Sequence, residues 1–137
     1  MNYISLDLEL NNDPDDSPTI PRIIQVGISV GNLTDGVFLT RDWLIDPGES
    51  IYPFITALTG ITNSDIQDNS VPLEKVANEL SAIITKYQCF VNPVTWGSGD
   101  VTCLIKEFKD CGIRFPTFWQ KRIRCQATLC FLNAIPR

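Results

Sequence analysis

The sequence contains no histidine at all. A Ser-His-Asp triad, a Cys₂His₂ zinc site and an imidazole general base are therefore excluded from these 137 residues. Five cysteines are present, at 89, 103, 111, 125 and 130, with no CxxC pair among them. An odd count without paired spacing argues against a disulfide framework or a zinc knuckle, and buried reduced thiols are the expectation. No run approaches the ~20 apolar residues of a membrane span. The opening MNYISLDLEL lacks the basic stretch and cleavage pattern of a signal peptide and reads as a strand. A cytoplasmic protein is expected, or a nuclear one if the source has a nucleus, with no membrane partner.

The hydrophobic content of 44% fits a globular chain, and the length fits one domain, residues 1–137. Basic residues are scarce at the front. Fourteen of the 16 acids lie in residues 1–100, whereas seven of the 11 bases lie beyond, at 106, 109, 114, 121, 122, 124 and 137. That basic group is either a solvated helix face with a tail or a patch that tracks a phosphate backbone.

Residues 2–10 alternate, with Ile4, Leu6, Leu8 and Leu10 on one side and Tyr3, Ser5, Asp7 and Glu9 on the other, so a strand is predicted. The acidic, proline-containing residues 11–21 read as a loop. Residues 22–30, nearly all apolar, predict a buried strand, and 37–45 a third one joined to it as an antiparallel hairpin. Short helical turns are expected near 56–58 and 63–66. Ser70 is a candidate cap for a helix reaching about Lys86, with Leu73, Val76, Ala77, Leu80 and Ile84 on one face. A strand over 89–96 is interrupted by Pro93. A helix over about 99–111 follows, with Val101, Leu104, Phe108 and Cys111 as its apolar stripe and Gly112 as its stop. A last strand is placed near 119–125 and a helix start near Gln126.

Asp7 and Glu9 share a strand face about 6.5 Å apart at ~3.3 Å per residue. Such a pair is either a solvent-facing strand side or a set of hard oxygen ligands for a divalent cation. Asp100 follows a strand and opens a helix, where an anion is favoured by ~0.3–1 kcal/mol. It reads as a helix-start residue or as a site residue at a strand end. Trp96 reads as a buried core residue or as a stacking platform for a base.

Together these pieces resemble a known superfamily. YISLDLELN resembles the first motif of the DEDD 3′–5′ exonucleases, a D-x-E on the first strand, and PRIIQVGISV the strand after it. The run from Ile45-Asp46-Pro47 to Leu58-Thr59-Gly60-Ile61-Thr62 resembles the family's P…LTGI segment, and VTWGSGDVTCL its second motif. The W-G-x-x-D form is closest to the Eri1-like branch of the DEDDh type. FPTFWQKRIRC resembles the strand that follows, although that branch usually has an acidic or amide residue near Arg124.

The resemblance implies an α/β, ribonuclease H-like mixed sheet: a three-strand antiparallel meander, then parallel strands, with flanking helices. It implies metal-dependent 3′–5′ trimming of RNA or single-stranded DNA by two magnesium or manganese ions. Asp7, Glu9 and Asp100 would be the catalytic and metal-holding carboxylates. Leu8, Leu10, Leu58, Thr59 and Trp96 would meet the nucleic-acid end. The family's third motif, with its histidine or tyrosine and fourth aspartate, has no counterpart here, since no acid follows Asp110. The fold is therefore expected to be C-terminally incomplete. A shortened chain, an inactive binding module and completion by another chain are the readings left open. An uncovered sheet predicts a second copy or a partner.

Overall fold

The computed structural model describes residues 1–12, 21–90, 92–96 and 99–114, and the backbone of 123–124. The predicted loop at 11–21 lies mostly outside that set, as does the expected helix near Gln126. Among the described residues, five strands form one sheet in the order β3-β2-β1-β4-β5. They are β1 (Tyr3–Asn11), β2 (Arg22–Asn32), β3 (Gly36–Leu44), β4 (Val94–Thr95) and β5 (Ile123–Arg124). The first three pair antiparallel, and β4 joins β1, and β5 joins β4, in parallel. This is the mixed sheet expected from the sequence, with β1 at its centre.

Alternation builds the larger core. Ile4, Leu6 and Leu8 of β1 stand opposite Val30, Ile28 and Val26 of β2, and all six are buried. Two helices cover that face: α3 (Leu73–Lys86) through Val76, Leu80 and Ile84, and α4 (Asp100–Asp110) through Val101, Leu104 and Phe108. Polar contacts fix both. The Trp43 indole Nε1 donates to Glu79 Oε2 at 2.8 Å, tying α3 to β3. Glu107 on α4 accepts from the Ile23 backbone N–H at 3.4 Å and pairs with Arg22 at 3.5 Å.

A bulge explains why β2 reads as a continuous apolar run. The register shifts between Glu9 and Leu10, so that Gln25 faces Glu9 while Ile23 faces Leu10. Ile24 is left over, as one extra residue is in a bulge. Ile23 turns into the larger core, and Ile24 into a second cluster with Ile51, Ile55, Ile61 and Ile66. That cluster belongs to α1 (Pro53–Thr59) and α2 (Asn63–Asn69). A capping box starts α2: Thr62 Oγ1 accepts from the Asp65 N–H, and the Asp65 carboxylate accepts from the Thr62 N–H.

Three local expectations are corrected. Ser70 does not start α3; its N–H donates to Ile66 O at 3.0 Å and closes α2, while Pro72 precedes α3. Among the described residues of 89–96, the expected strand reduces to Val94–Thr95 plus an isolated bridge between Asn2 and Cys89, because Pro93 has no N–H for the ladder. Cys111 is exposed: α4 ends at Asp110, and Gly112, at φ +69°, turns the chain away.

Candidate functional site

The period of two that buries Ile4, Leu6 and Leu8 lifts Asp7 and Glu9 to the other face of the central strand. Asp7 is exposed and Glu9 half-buried. Across the sheet, Asp7 stands opposite Gly27, and Gly27 opposite Asp42. Glu9 stands opposite Gln25, whose amide Nε2 donates to Asp42 Oδ2 at 3.3 Å. Gly27 thus separates two acids with a position that carries no side chain. A Cβ built there would meet only the Asp7 carbonyl oxygen, at 3.7 Å.

Asp100 arrives from a different direction. It is the first residue of α4, just beyond the end of β4, and half-buried. Its carboxyl is pushed above the ordinary range by burial first and by the negative charge of Asp7 second. The two carboxylates, 93 positions apart, therefore act on one another. A cation between them would relieve both causes, since it compensates a desolvated charge and screens a repulsion.

The donor chemistry suits magnesium or manganese, which take carboxylate oxygens and complete their shells with water. Magnesium is commonly held by only one or two carboxylates together with substrate phosphates. Asp7 and Asp100 fit that description, with Glu9 two residues along the strand. Among the described residues no group of three or more His, Cys, Asp or Glu side chains converges on a single metal position.

The remaining residues singled out from the sequence separate. Leu8 is buried in the larger core, on the face opposite Asp7, and Leu10 packs at the edge of that core. Neither stands on the carboxylate side. Leu58 is exposed on α1, one turn from the exposed Phe54. Thr59 shapes the turn after α1: its hydroxyl donates to Ile55 O at 2.8 Å and accepts from the Ile61 N–H at 3.1 Å. The core position considered for Trp96 is overturned, since 65% of its surface is exposed.

Sequence reasoning missed Asn11, Gln25 and Asp42. Asn11 is buried; its Nδ2 donates to Glu49 Oε1 and Ser50 O, and its Oδ1 accepts from the Tyr52 N–H at 3.0 Å. It thereby fixes the entry to α1 against the end of β1, next to Glu9. Its signal was present, as the next outward position after Asp7 and Glu9. Gln25 and Asp42 become visible only once the strand registers are known.

No protein-family model matches the sequence, and no curated protein matches it. Solved structures do. The nuclease domain of 3′hExo, a DEDDh family member bound to rAMP, superimposes with a TM-score of 0.76 at 18% identity, over 89% of this chain and 65% of that one. A 3′-exonuclease that recognises the histone mRNA stem-loop gives 0.77 at 17% identity, over 90% of this chain and 45% of that one. The zinc-bound complex of Escherichia coli exonuclease I with single-stranded DNA gives 0.67 at 14% identity, over 90% and 27%. The chain spans less than two thirds of the length of each. It has the ribonuclease H-like fold of the DEDDh 3′-exonucleases.

Proposed function

We propose that this exonuclease-fold chain carries the cation-holding and strand-end-holding part of a 3′–5′ exonuclease site acting on RNA or single-stranded DNA. The observation that supports the reading is that β4 lies parallel beside β1, which brings Asp100, just past the end of β4, within electrostatic reach of Asp7. Asp7 and Asp100 would hold magnesium or manganese, with Glu9 beside them toward the strand end. A divalent cation supplies charge neutralisation at a phosphodiester and a more acidic water. The chain's own residues would orient the end: Asn11, two residues past Glu9, fixes the entry to α1, and α1 carries the exposed Phe54 and Leu58. General-base help is worth ~10²–10⁴-fold, and these residues include no histidine to give it. Turnover by the 137-residue chain is therefore expected to be slow. The same absence favours a second reading, a module that holds a nucleic-acid end or a protein without cutting.

The test is incubation with 5′-labelled and 3′-labelled single-stranded RNA and DNA in manganese, beside Asp7→Ala. Stepwise shortening from the 3′ end, lost in the variant, supports the exonuclease. Cation-dependent binding without shortening supports the module. If manganese raises the melting temperature of both proteins equally, Asp7 is not a cation ligand and the reading fails.

A further inference from the structure

Helix α4 must be held in rotation as well as in depth if Asp100 is to stay within reach of Asp7. A side-chain tip stands ~5–6 Å from the helix axis, so a roll of about 20° moves it by about 2 Å. The cap residue of α4, Gly99, has no side chain to hold the helix start. Val101, Leu104 and Phe108 seat the helix in the larger core. Apolar burial is non-directional, so it fixes the depth of α4 better than its rotation.

Glu107 supplies a directional hold. Its carboxylate accepts from the Ile23 N–H at 3.4 Å and pairs with Arg22 at 3.5 Å. Ile23 is fully buried, and a buried N–H needs an acceptor. Ile23 stands opposite Leu10, at the bulge that follows Glu9. Glu107 thus ties α4 to the sheet beside the second carboxylate of β1. Asp100 and Glu107 lie two turns apart on one side of α4. Cys103 lies between them, its thiol pushed up by burial first and then by the charges of Glu107 and Asp100. Held at Glu107, that side of the helix cannot roll away from β1. Resting on the exonuclease reading above, we propose that Glu107 is a positioning residue for the cation: by gripping the bulged end of β2 it sets the rotation of α4, and with it the place of Asp100 relative to Asp7. Glu107 itself touches neither cation nor nucleic acid. The Arg22 pair is the lesser part of the grip, since that side chain is 47% exposed and exposed pairs contribute little. The acceptor oxygen matters more, and an amide in its place can still accept from Ile23.

The test is manganese affinity, read by calorimetry on folded protein, for wild type, Asp7→Ala, Glu107→Ala and Glu107→Gln. Glu107→Ala is expected to lose about tenfold, as partners that orient a metal ligand do, while Glu107→Gln keeps most of the affinity. In an Asp100→Asn background Glu107→Ala should cost nothing further, because the carboxylate it acts through is gone. A Glu107→Ala protein with wild-type affinity overturns the assignment, even if it melts lower. So does an equal loss in the Asp100→Asn background, which marks general loosening. A Glu107→Gln protein as weak as Glu107→Ala overturns the role of the acceptor. Should Glu107→Ala not fold, Glu107→Asp takes its place with the same expectations, since its shorter stem keeps the charge but not the reach. Wild type that binds manganese no more tightly than Asp7→Ala overturns the cation reading itself, and this inference with it.

Discussion

Asp100 is under two penalties at once, since burial and the charge of Asp7 both favour its protonated form. Its first-turn position on α4 is worth ~0.3–1 kcal/mol to the ionised form, but the net shift is upward, so the penalties win. The carboxyl titrates higher folded than unfolded, and the folded state binds its proton more tightly. Its contribution to stability is therefore present at acidic pH and is lost as pH rises through the raised value. Asp100→Asn should melt higher than wild type at neutral pH, and this advantage should vanish at pH below the ordinary carboxylate value of 3.8. Thermal melts across pH read this directly. Manganese should narrow the difference at neutral pH by stabilising the wild type alone.

At the scale of elements, the second irregularity of the sheet, between Val30 and Gly31, depends on one hydrogen atom. A Cβ at Gly31 would lie 2.4 Å from the Gly36 oxygen and 2.9 Å from the Val37 Cα. Both are backbone atoms that cannot swing aside. Gly31→Ala should cost about 1–3 kcal/mol, as overpacking does, in denaturant titrations. It should also loosen amide protection along β3. The sequence announced the hairpin but not this bulge, because a bulge depends on what two strands make of each other. The five core positions of α3, Leu73, Val76, Ala77, Leu80 and Ile84, were legible in advance because 3.6-residue spacing is a property of the helix alone. The strand expected over 89–96 is longer than the one observed for the opposite reason: its apolar composition suits a strand, but Pro93 limits its pairing. Asp7 and Glu9 could be placed on one face from alternation. The reach of Asp7 to Asp100 could not, because it depends on β4 lying parallel beside β1.

For the molecule as a whole, the two hydrophobic clusters are unequal. Leu80 is fully buried in the larger one, between the sheet and α3. Leu80→Ala should cost about 2–5 kcal/mol and lower the cooperative unfolding transition. Ile55 sits in the smaller cluster, which fastens α1 and α2 through Ile24. Ile55→Ala should chiefly raise amide exchange over residues 51–69, the segment holding α1 and α2, with less effect on the strands. Hydrogen exchange separates the two outcomes. If both substitutions loosened the sheet equally, the clusters would be one cooperative unit.

The outer edge of the sheet carries a consequence for how copies of this chain behave when crowded together. Among the described residues, strand β3 has β2 on one side and no strand on the other, and Arg41 and Asp42 are exposed near its middle. Two copies meeting edge to edge, antiparallel about a two-fold axis, must match side chains that point to the same face. Neighbours in sequence point to opposite faces, so Arg41 of one copy never lies directly opposite Asp42 of the other. The registers centred on these residues set Arg41 against Arg41, or Asp42 against Asp42, and like charges directly opposite are destabilising. The order of two adjacent residues thus acts as a colloidal safeguard, leaving the edge unpaired by denying it a matching copy of itself.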